Sequence, residues 1–431
     1  MINSFVETAI INESEPYERF YSNFAIGIFM VFLFFVFFGT KMPFGEKITE
    51  AENIATSNIV NQIVFGSLFI FSIILLIPKR KKLFNLIGKE KFFTIFLLWC
   101  IITILWSNYA FVSLKRYIQY LTTVTVFLSV LLHVKDTKQI INVFKIILGG
   151  YLIIALLTIL TIPGAYDRFG IWRGIAAHKN TLGQTSLLAL IFFAAIYNEK
   201  QLLKSKVIIT SLIIIGLVLL FGSKSSTSII TFLIIFMLAL TFMVDVIFKP
   251  IGIRKTVSFL TLFIFVVLFV LIILAVPGVL ESIAGGAGKD LTLTGRVDLW
   301  ADIWLETKKH LLLGTGFQGF WVITSVKVEQ LFEIYPWLPT QAHNGYLDII
   351  NEVGIIGIIL FSLILINYFT MLAKSKNKQI WKWFIVAALI INFTESAFIR
   401  PKVVFGVMFI FSYFALFSDL IKDKQLDSVT E

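Results

Sequence analysis

Asn58–Ile77 reads NIVNQIVFGSLFIFSIILLI and runs directly into PKRKK, residues 78–82. A membrane-spanning helix needs roughly 17–25 mostly apolar residues, and this stretch has that length without a charge. Lys79, Arg80, Lys81 and Lys82 mark the side on which it stops, because Lys and Arg collect in cytoplasmic loops. One segment therefore implies both a span and its direction.

The pattern repeats along the chain, giving about twelve spans of an all-α, polytopic membrane protein. They are Phe20–Phe38, Asn58–Ile77, Phe92–Trp106, Ser113–His133, Ile141–Ile162, Thr181–Tyr197, Val207–Phe221, Ser226–Phe248, Val257–Val276, Gly345–Met371, Ile380–Glu395 and Lys402–Ser418. The third, sixth and seventh are short enough to be tilted or partly re-entrant. Basic residues return at alternate connections: Lys135 and Lys138; Lys200, Lys204 and Lys206; Lys249, Arg254 and Lys255; Lys374, Lys376 and Lys378. These loops and both termini are expected in the cytoplasm. The organisation is a cytoplasmic segment 1–19, nine spans over 20–276, a long outward loop 277–344, three spans over 345–418 and a cytoplasmic tail 419–431.

Composition agrees. Of 431 residues, 58% are hydrophobic and 15% charged, and 45 are Phe, whereas soluble chains carry about 25% charged residues. That excludes a soluble enzyme, a disordered chain and a secreted disulfide scaffold. The net charge of +11 follows from the inside bias of the loops and does not call for nucleic acid. Cys100 is the sole cysteine, so no disulfide or Cys-based metal site forms within one chain. Met1–Arg19 is polar and slightly acidic, unlike a cleavable signal peptide.

The loop Pro277–His343 far exceeds the usual connection of ~4–6 residues. It holds Trp300, Trp304, Trp321 and Trp337 and a helical pattern. Thr294 is placed to cap a helix. Val297, Trp300, Ile303 and Trp304 form its apolar face, expected to pack on the bundle rather than lie in the lipid interface, with Asp298, Asp302 and Glu306 on the other side.

Outward loops also collect cations against the inside bias. They are Lys115 and Arg116; Arg168, Arg173 and Lys179; Lys224 among Ser223, Ser225 and Ser226; Lys289 and Arg296; and Arg400 and Lys402. Guanidinium groups bind phosphate well, often bidentately, so a lipid-linked anionic substrate fits the set. Headgroup contact or pairing with Asp167, Asp290 or Glu395 is the simpler account of any single one. His343 stands where the long loop meets the tenth span, and imidazole suits proton transfer near neutral pH. No Asp-x-Asp, Gly-rich Lys-Ser/Thr loop or His-Glu-x-x-His pattern occurs. Gly285-Gly286-Ala287-Gly288 reads as a flexible turn. Few charges lie deep in any span, which speaks against an ion-coupled transporter.

Three motifs occur in order. The first is Trp172-Arg173-Gly174, then His178-Lys179-Asn180 and Leu182-Gly183. The second is Gly288-Lys289-Asp290, then Thr292 to Arg296, Trp300 and Leu313-Gly314-Thr315-Gly316-Phe317. The third is Ala342-His343-Asn344-Gly345-Tyr346-Leu347-Asp348, with Glu352-Val353-Gly354 and Gly357. Together with the span pattern and the long loop, they resemble the O-antigen ligase/polymerase superfamily, most of all its exopolysaccharide polymerase branch.

The resemblance implies a glycosyltransferase at the outer face of the bacterial cytoplasmic (inner) membrane. Such an enzyme moves a glycan from undecaprenyl diphosphate to an acceptor hydroxyl, without metal or other cofactor and with inversion. Its partners would be an undecaprenyl-diphosphate-linked oligosaccharide, an acceptor glycan or glycolipid, membrane lipid and a chain-length regulator protein, with no nucleic acid. His343 would be the general base or the group that orients the acceptor. Arg173 and Arg296 would hold the diphosphate and stabilise its growing charge on departure, with Lys179 beside them. Arg168, Lys224 and Arg400 join that set by position and charge. His178, Asn344, Asp348 and Asp290 would support it, Asn344 and Asp348 by orienting His343, although Asn344 also suits helix capping. Polymerase and lipid A core ligase share these motifs, and the Trp-Arg-Gly…His-Lys-Asn block leans to polymerase. A lipid-linked glycan flippase would instead line a path across the bilayer, and a non-enzymatic scaffold would not need the cations to converge.

Overall fold

A computed structural model describes residues 2–39, 59–167, 170–197, 203–248, 295–375 and 379–430. The ninth expected span, Arg168, and the loop up to Thr294, with Gly285–Gly288, Lys289 and Asp290, lie outside the described residues. Among those described, fourteen α-helices and no strand are found; Tyr166 and Trp172 form an isolated antiparallel bridge.

The helices are α1 (Ile2–Phe38), α2 (Ile59–Leu76), α3 (Arg80–Lys89), α4 (Phe92–Thr103), α5 (Ala110–His133), α6 (Thr137–Thr161), α7 (Lys179–Tyr197), α8 (Leu203–Gly222), α9 (Ser226–Phe248), α10 (Arg296–Thr307), α11 (Val326–Ile334), α12 (Gly345–Lys374), α13 (Gln379–Thr394) and α14 (Val404–Thr430). Eight of them are long and apolar enough to cross a membrane, and Phe92–Trp106 and Ile380–Thr394 are shorter apolar helices. The chain is a polytopic integral membrane protein. The third expected span is indeed short, closing as a 3-10 turn at Ile104–Trp106, whereas the sixth and seventh are full helices of 19 and 20 residues.

The bundle is held by aromatic packing. Phe411 of α14 meets Phe29 of α1, Phe127 of α5 and Phe144 of α6 at ring separations of 5.8, 5.1 and 5.2 Å. Apolar driving force between helices is weak in lipid, so close packing and interhelical hydrogen bonds carry the association; Ser72 of α2 donates to Thr125 of α5 at 2.7 Å. Ile63, Ile70, Leu157 and Ile208 face outward, as lipid-facing positions do. At one end Glu18 pairs with Lys79 at 3.3 Å and Lys135 at 2.7 Å. Two of the basic connections therefore meet the start of the first span at the same end of the bundle.

The segment 295–344 builds a small core of its own from Leu299, Ile303, Phe320, Trp321, Val328, Leu331, Tyr335 and Ala342. It sits on the start of α12. The buried face of α10 is Leu299, Ile303 and Thr307, while Val297 and Trp304 are exposed. This corrects the expected face: the helix is turned so that its aliphatic side enters the loop core. Trp300 still reaches the bundle, meeting Phe393 edge-on at 6.0 Å. Gly295 stands at the N-cap of α10, with no side-chain cap.

Helix α12 is broken at Gly354, whose φ of 73° is left-handed, a conformation that glycine adopts without steric cost. The break frees backbone groups that need partners. Thr315 N donates to Asn351 O and Gly316 N to Glu352 O, both at 2.9 Å, and Trp99 Nε1 donates to Val353 O at 2.8 Å. In return Ile355 N donates to Leu311 O at 2.9 Å. Leu313-Gly314-Thr315-Gly316 and Glu352-Val353-Gly354, two separate motifs in sequence, are thus the two halves of one joint. A side chain at Gly314 or Gly354 would collide with the facing backbone.

Candidate active site

Five segments converge at the end of the bundle opposite Glu18. They are the start of α7, the turn before α9, the start of α10, and the paired segments 341–348 and 394–400. The first motif is pinned there by small residues. Trp172 packs on Gly222 with no space for a side chain, and Gly183 lies against Ser223, Ser225 and Ser228. The turn holds Lys224 at φ 47°. Thr394 donates to Thr227 at 2.9 Å, joining the end of α13 to the start of α9.

Glu395 is the hub of the convergence, 5% exposed immediately past α13. Its Oε1 accepts from Asn180 Nδ2 at 2.8 Å and Arg296 Nη2 at 3.1 Å. Its Oε2 accepts from Gln341 Nε2 at 3.0 Å and stands 2.9 Å from His343 Nδ1. Gln341 closes the loop by accepting from Ser396 N at 3.1 Å. Burial pushes the Glu395 carboxyl upward, but His343, Arg296 and His178 outweigh it and bring it down to about 2. An ionised carboxylate only accepts, so the proton of neutral His343 lies on Nδ1 and Nε2 keeps its lone pair.

His343 itself has φ 50°. Left-handed non-glycine residues cost of order 1–3 kcal/mol and persist where the surroundings over-determine them, often at active sites. Trp337 lies over its ring at 5.3 Å.

A second buried centre lies below the first. Asp348 and Glu352 of α12 are fully buried. Arg400 Nη2 donates to Asp348 Oδ2 at 3.0 Å and to Glu352 Oε1 at 2.8 Å. Burial disfavours the Arg400 charge, but Glu352 and Asp348 overcome this and raise its pKa. Asp348 also accepts from Trp321 Nε1 at 2.8 Å, from Ala342 N and from Ser396 Oγ. Gln318 N donates to Glu352 at 3.1 Å, and Arg116 braces the same loop through Gln318 O and Trp321 O at 2.5 and 2.9 Å.

Several expected roles change accordingly. Glu395, not Asp348 or Asn344, bonds the His343 ring. Asn344 caps α12, accepting from Tyr346 N at 3.1 Å and Leu347 N at 3.2 Å. Arg400 is held between two carboxylates, which leaves it little charge to offer a diphosphate. Arg296 bonds both Glu395 and Thr394 O, the latter at 2.6 Å. The Arg173 guanidinium donates to Gly164 O at 2.8 and 3.1 Å. Lys179 opens α7, Lys224 is exposed, and exposed His178 accepts from Asn180 N at 3.2 Å. Glu395, Asn180 and Gln341 had no functional role in the sequence reading. A lone carboxylate at an apolar span end, among cation-bearing loops, was the available signal for Glu395.

Among the described residues, no group of three or more His, Cys, Asp or Glu is arranged to hold a metal ion. The family profile described as O-antigen ligase matches residues 211–362. The chain is also 28% identical over 345 residues to the exopolysaccharide production protein ExoQ of Rhizobium meliloti (strain 1021), a match covering 76% of this chain and 77% of that protein.

Proposed function

We propose, on the support of these two matches, that the chain is a member of the O-antigen ligase/polymerase superfamily and that it polymerises the repeat units of an exopolysaccharide or O-antigen. The donor is a glycan on undecaprenyl diphosphate, and the acceptor is a hydroxyl of another lipid-linked repeat. The reaction takes place at the outer face of the cytoplasmic membrane, without metal and with inversion at the anomeric carbon. In this reading twelve spans cross the bilayer, the loop 277–344 is extracytoplasmic, and a chain-length regulator is a natural partner.

The observation that supports it most is the arrangement about Glu395, with His343 on one oxygen and Arg296 on the other. The acceptor hydroxyl attacks the anomeric carbon and its proton passes to His343 Nε2. Glu395 holds the ring and stabilises the imidazolium that forms, as the buried acid does in a Ser-His-Asp triad. The bond from the anomeric carbon to the phosphate oxygen breaks, and undecaprenyl diphosphate leaves with the electron pair. Arg296 and Arg173, with Lys179 and Lys224, stand at the same end of the bundle to meet its charge, and Arg168 completes the set in sequence.

The test is an extension assay with purified protein, an undecaprenyl-diphosphate-linked repeat, EDTA and no nucleotide sugar. Longer lipid-linked chains from wild type, absent with His343→Ala, support the polymerase. Transfer only to added lipid A core makes it a ligase. Substrate binding without transfer to either acceptor returns the flippase.

A further inference from the structure

Trp337 stands apart from the tryptophans that brace the site. Trp300 and Trp321 spend their indole N–H groups on Ala342 O and Asp348, each at 2.8 Å. Trp337 is 38% exposed, and its Nε1 has no hydrogen-bond partner among the described residues. Its mounting is nonetheless firm. Tyr335 meets it edge-on at 6.0 Å, and the Tyr335 hydroxyl is anchored on Asp302 at 2.7 Å.

Its placement is specific. The indole is inclined at 58° to the His343 ring, 5.3 Å away. Its Nε1 lies 3.6 Å from where a side chain on Gly295 would begin, next to Arg296. One aromatic surface thus borders the base and the backbone of Gly295, the residue before Arg296. In the proposed transfer, the sugar ring on the diphosphate must lie between the base and Arg296. The C–H face of a pyranose is apolar, and indole offers a rigid apolar face with an N–H at its edge.

We propose that Trp337 is a stacking platform for the pyranose ring directly attached to the diphosphate of the lipid-linked donor, with Nε1 free to donate to one of its hydroxyls. The inference rests on the glycan-transfer reading and names the subsite within it.

The test uses full-length protein in lipid nanodiscs, as wild type, Trp337→Phe and Trp337→Leu. The probes are undecaprenyl diphosphate alone, and undecaprenyl diphosphate bearing glucose, galactose or N-acetylglucosamine. Wild type should bind at least one glycosylated carrier about three- to tenfold more tightly than the bare carrier, the range an aromatic contact supplies. Trp337→Leu should erase that preference with bare-carrier affinity within about twofold, and Trp337→Phe should keep part of it. In turnover, the donor KM should rise while the acceptor KM and the pH profile stay in place.

A preference that survives in Trp337→Leu overturns the platform, as does a wild type with no preference. A moved pH profile would make Trp337 a packing partner of His343 alone, and a raised acceptor KM would assign it to the other substrate. If Trp337→Leu binds neither carrier, the Phe variant decides, and an unaltered preference there overturns the stacking role. Failure of wild type to bind any undecaprenyl diphosphate would instead overturn the transfer reading itself.

Discussion

Two buried carboxylate centres lie side by side in the fold, and they are built differently. Asp348 and Glu352 share Arg400 and are further bonded by Trp321, Ser396 and Gln318. All those partners are fixed, and the cation among them stays charged at any ordinary pH. Glu395 accepts from an amide on either side, one guanidinium and one imidazole. The imidazole is the one partner with a second ring nitrogen that can accept a proton while the first stays on the carboxylate. A buried anion closed by a permanent cation is scaffold, whereas one closed by histidine can take part in chemistry. The two are tied together: Asp348 holds Ala342 N and Ser396 Oγ, the immediate neighbours of His343 and Glu395. The scaffold centre therefore sets the register of the reactive one.

The sharpest way to break this contrast is His343→Ala. Its turnover should fall by about 10²–10⁴-fold, with donor affinity and thermal unfolding close to wild type, measured by lipid-linked chain extension and a melting curve. Arg400→Ala should do the reverse of a clean kinetic lesion, destabilising the fold by about 3–5 kcal/mol because two buried carboxylates lose their cation. Adding Glu352→Gln should recover part of the lost melting temperature. If Arg400→Ala melts like wild type, the scaffold reading fails.

Glu395→Gln should lower turnover by about 10²-fold or more, since the ring loses its anionic partner. The pH dependence sharpens this. The Glu395 carboxyl lies at about 2 instead of its ordinary 4.5. A depressed folded-state pKa gives stability that is complete above the unfolded value and lost as pH falls toward about 2. Between neutral pH and pH 5 Glu395 should then contribute no change in melting temperature, checked by comparing the melting curves of wild type and Glu395→Gln. The smallest effect belongs to Lys224→Ala. This exposed cation should raise the donor KM about two- to threefold at low salt, and the difference should vanish at high ionic strength.

The spans were legible because membrane insertion is a property of local composition. Asn58–Ile77 and Ser226–Phe248 need only length and apolarity to be read, and α2 and α9 match them within a residue. The basic connections were readable for the same reason. His343 and Arg296, which meet on Glu395, were singled out by motif resemblance, and the cap at Asn344 by capping chemistry. The face of α10 was not, because Leu299 and Ile303 are chosen by a core that Phe320, Val328 and Leu331 supply from elsewhere in the chain. Nor was the break at Gly354, which holds only because loop 311–316 and Trp99 satisfy the freed backbone.

What the sequence by itself determined is a many-span membrane protein with a cation-rich set of loops on one side and a histidine beside a long loop. Each of these depends on residue type and near neighbours alone. Tertiary structure decided which anion the histidine meets. His343 and Glu395 are separated along the chain by the whole of α12 and α13. No local pattern distinguishes Glu395 from Asp348, which is far closer in sequence. A hydrogen bond acts over about 3 Å, so the choice rests on the packing of α12 against α13 and on the Asp348–Arg400 tie that sets the two segments edge to edge.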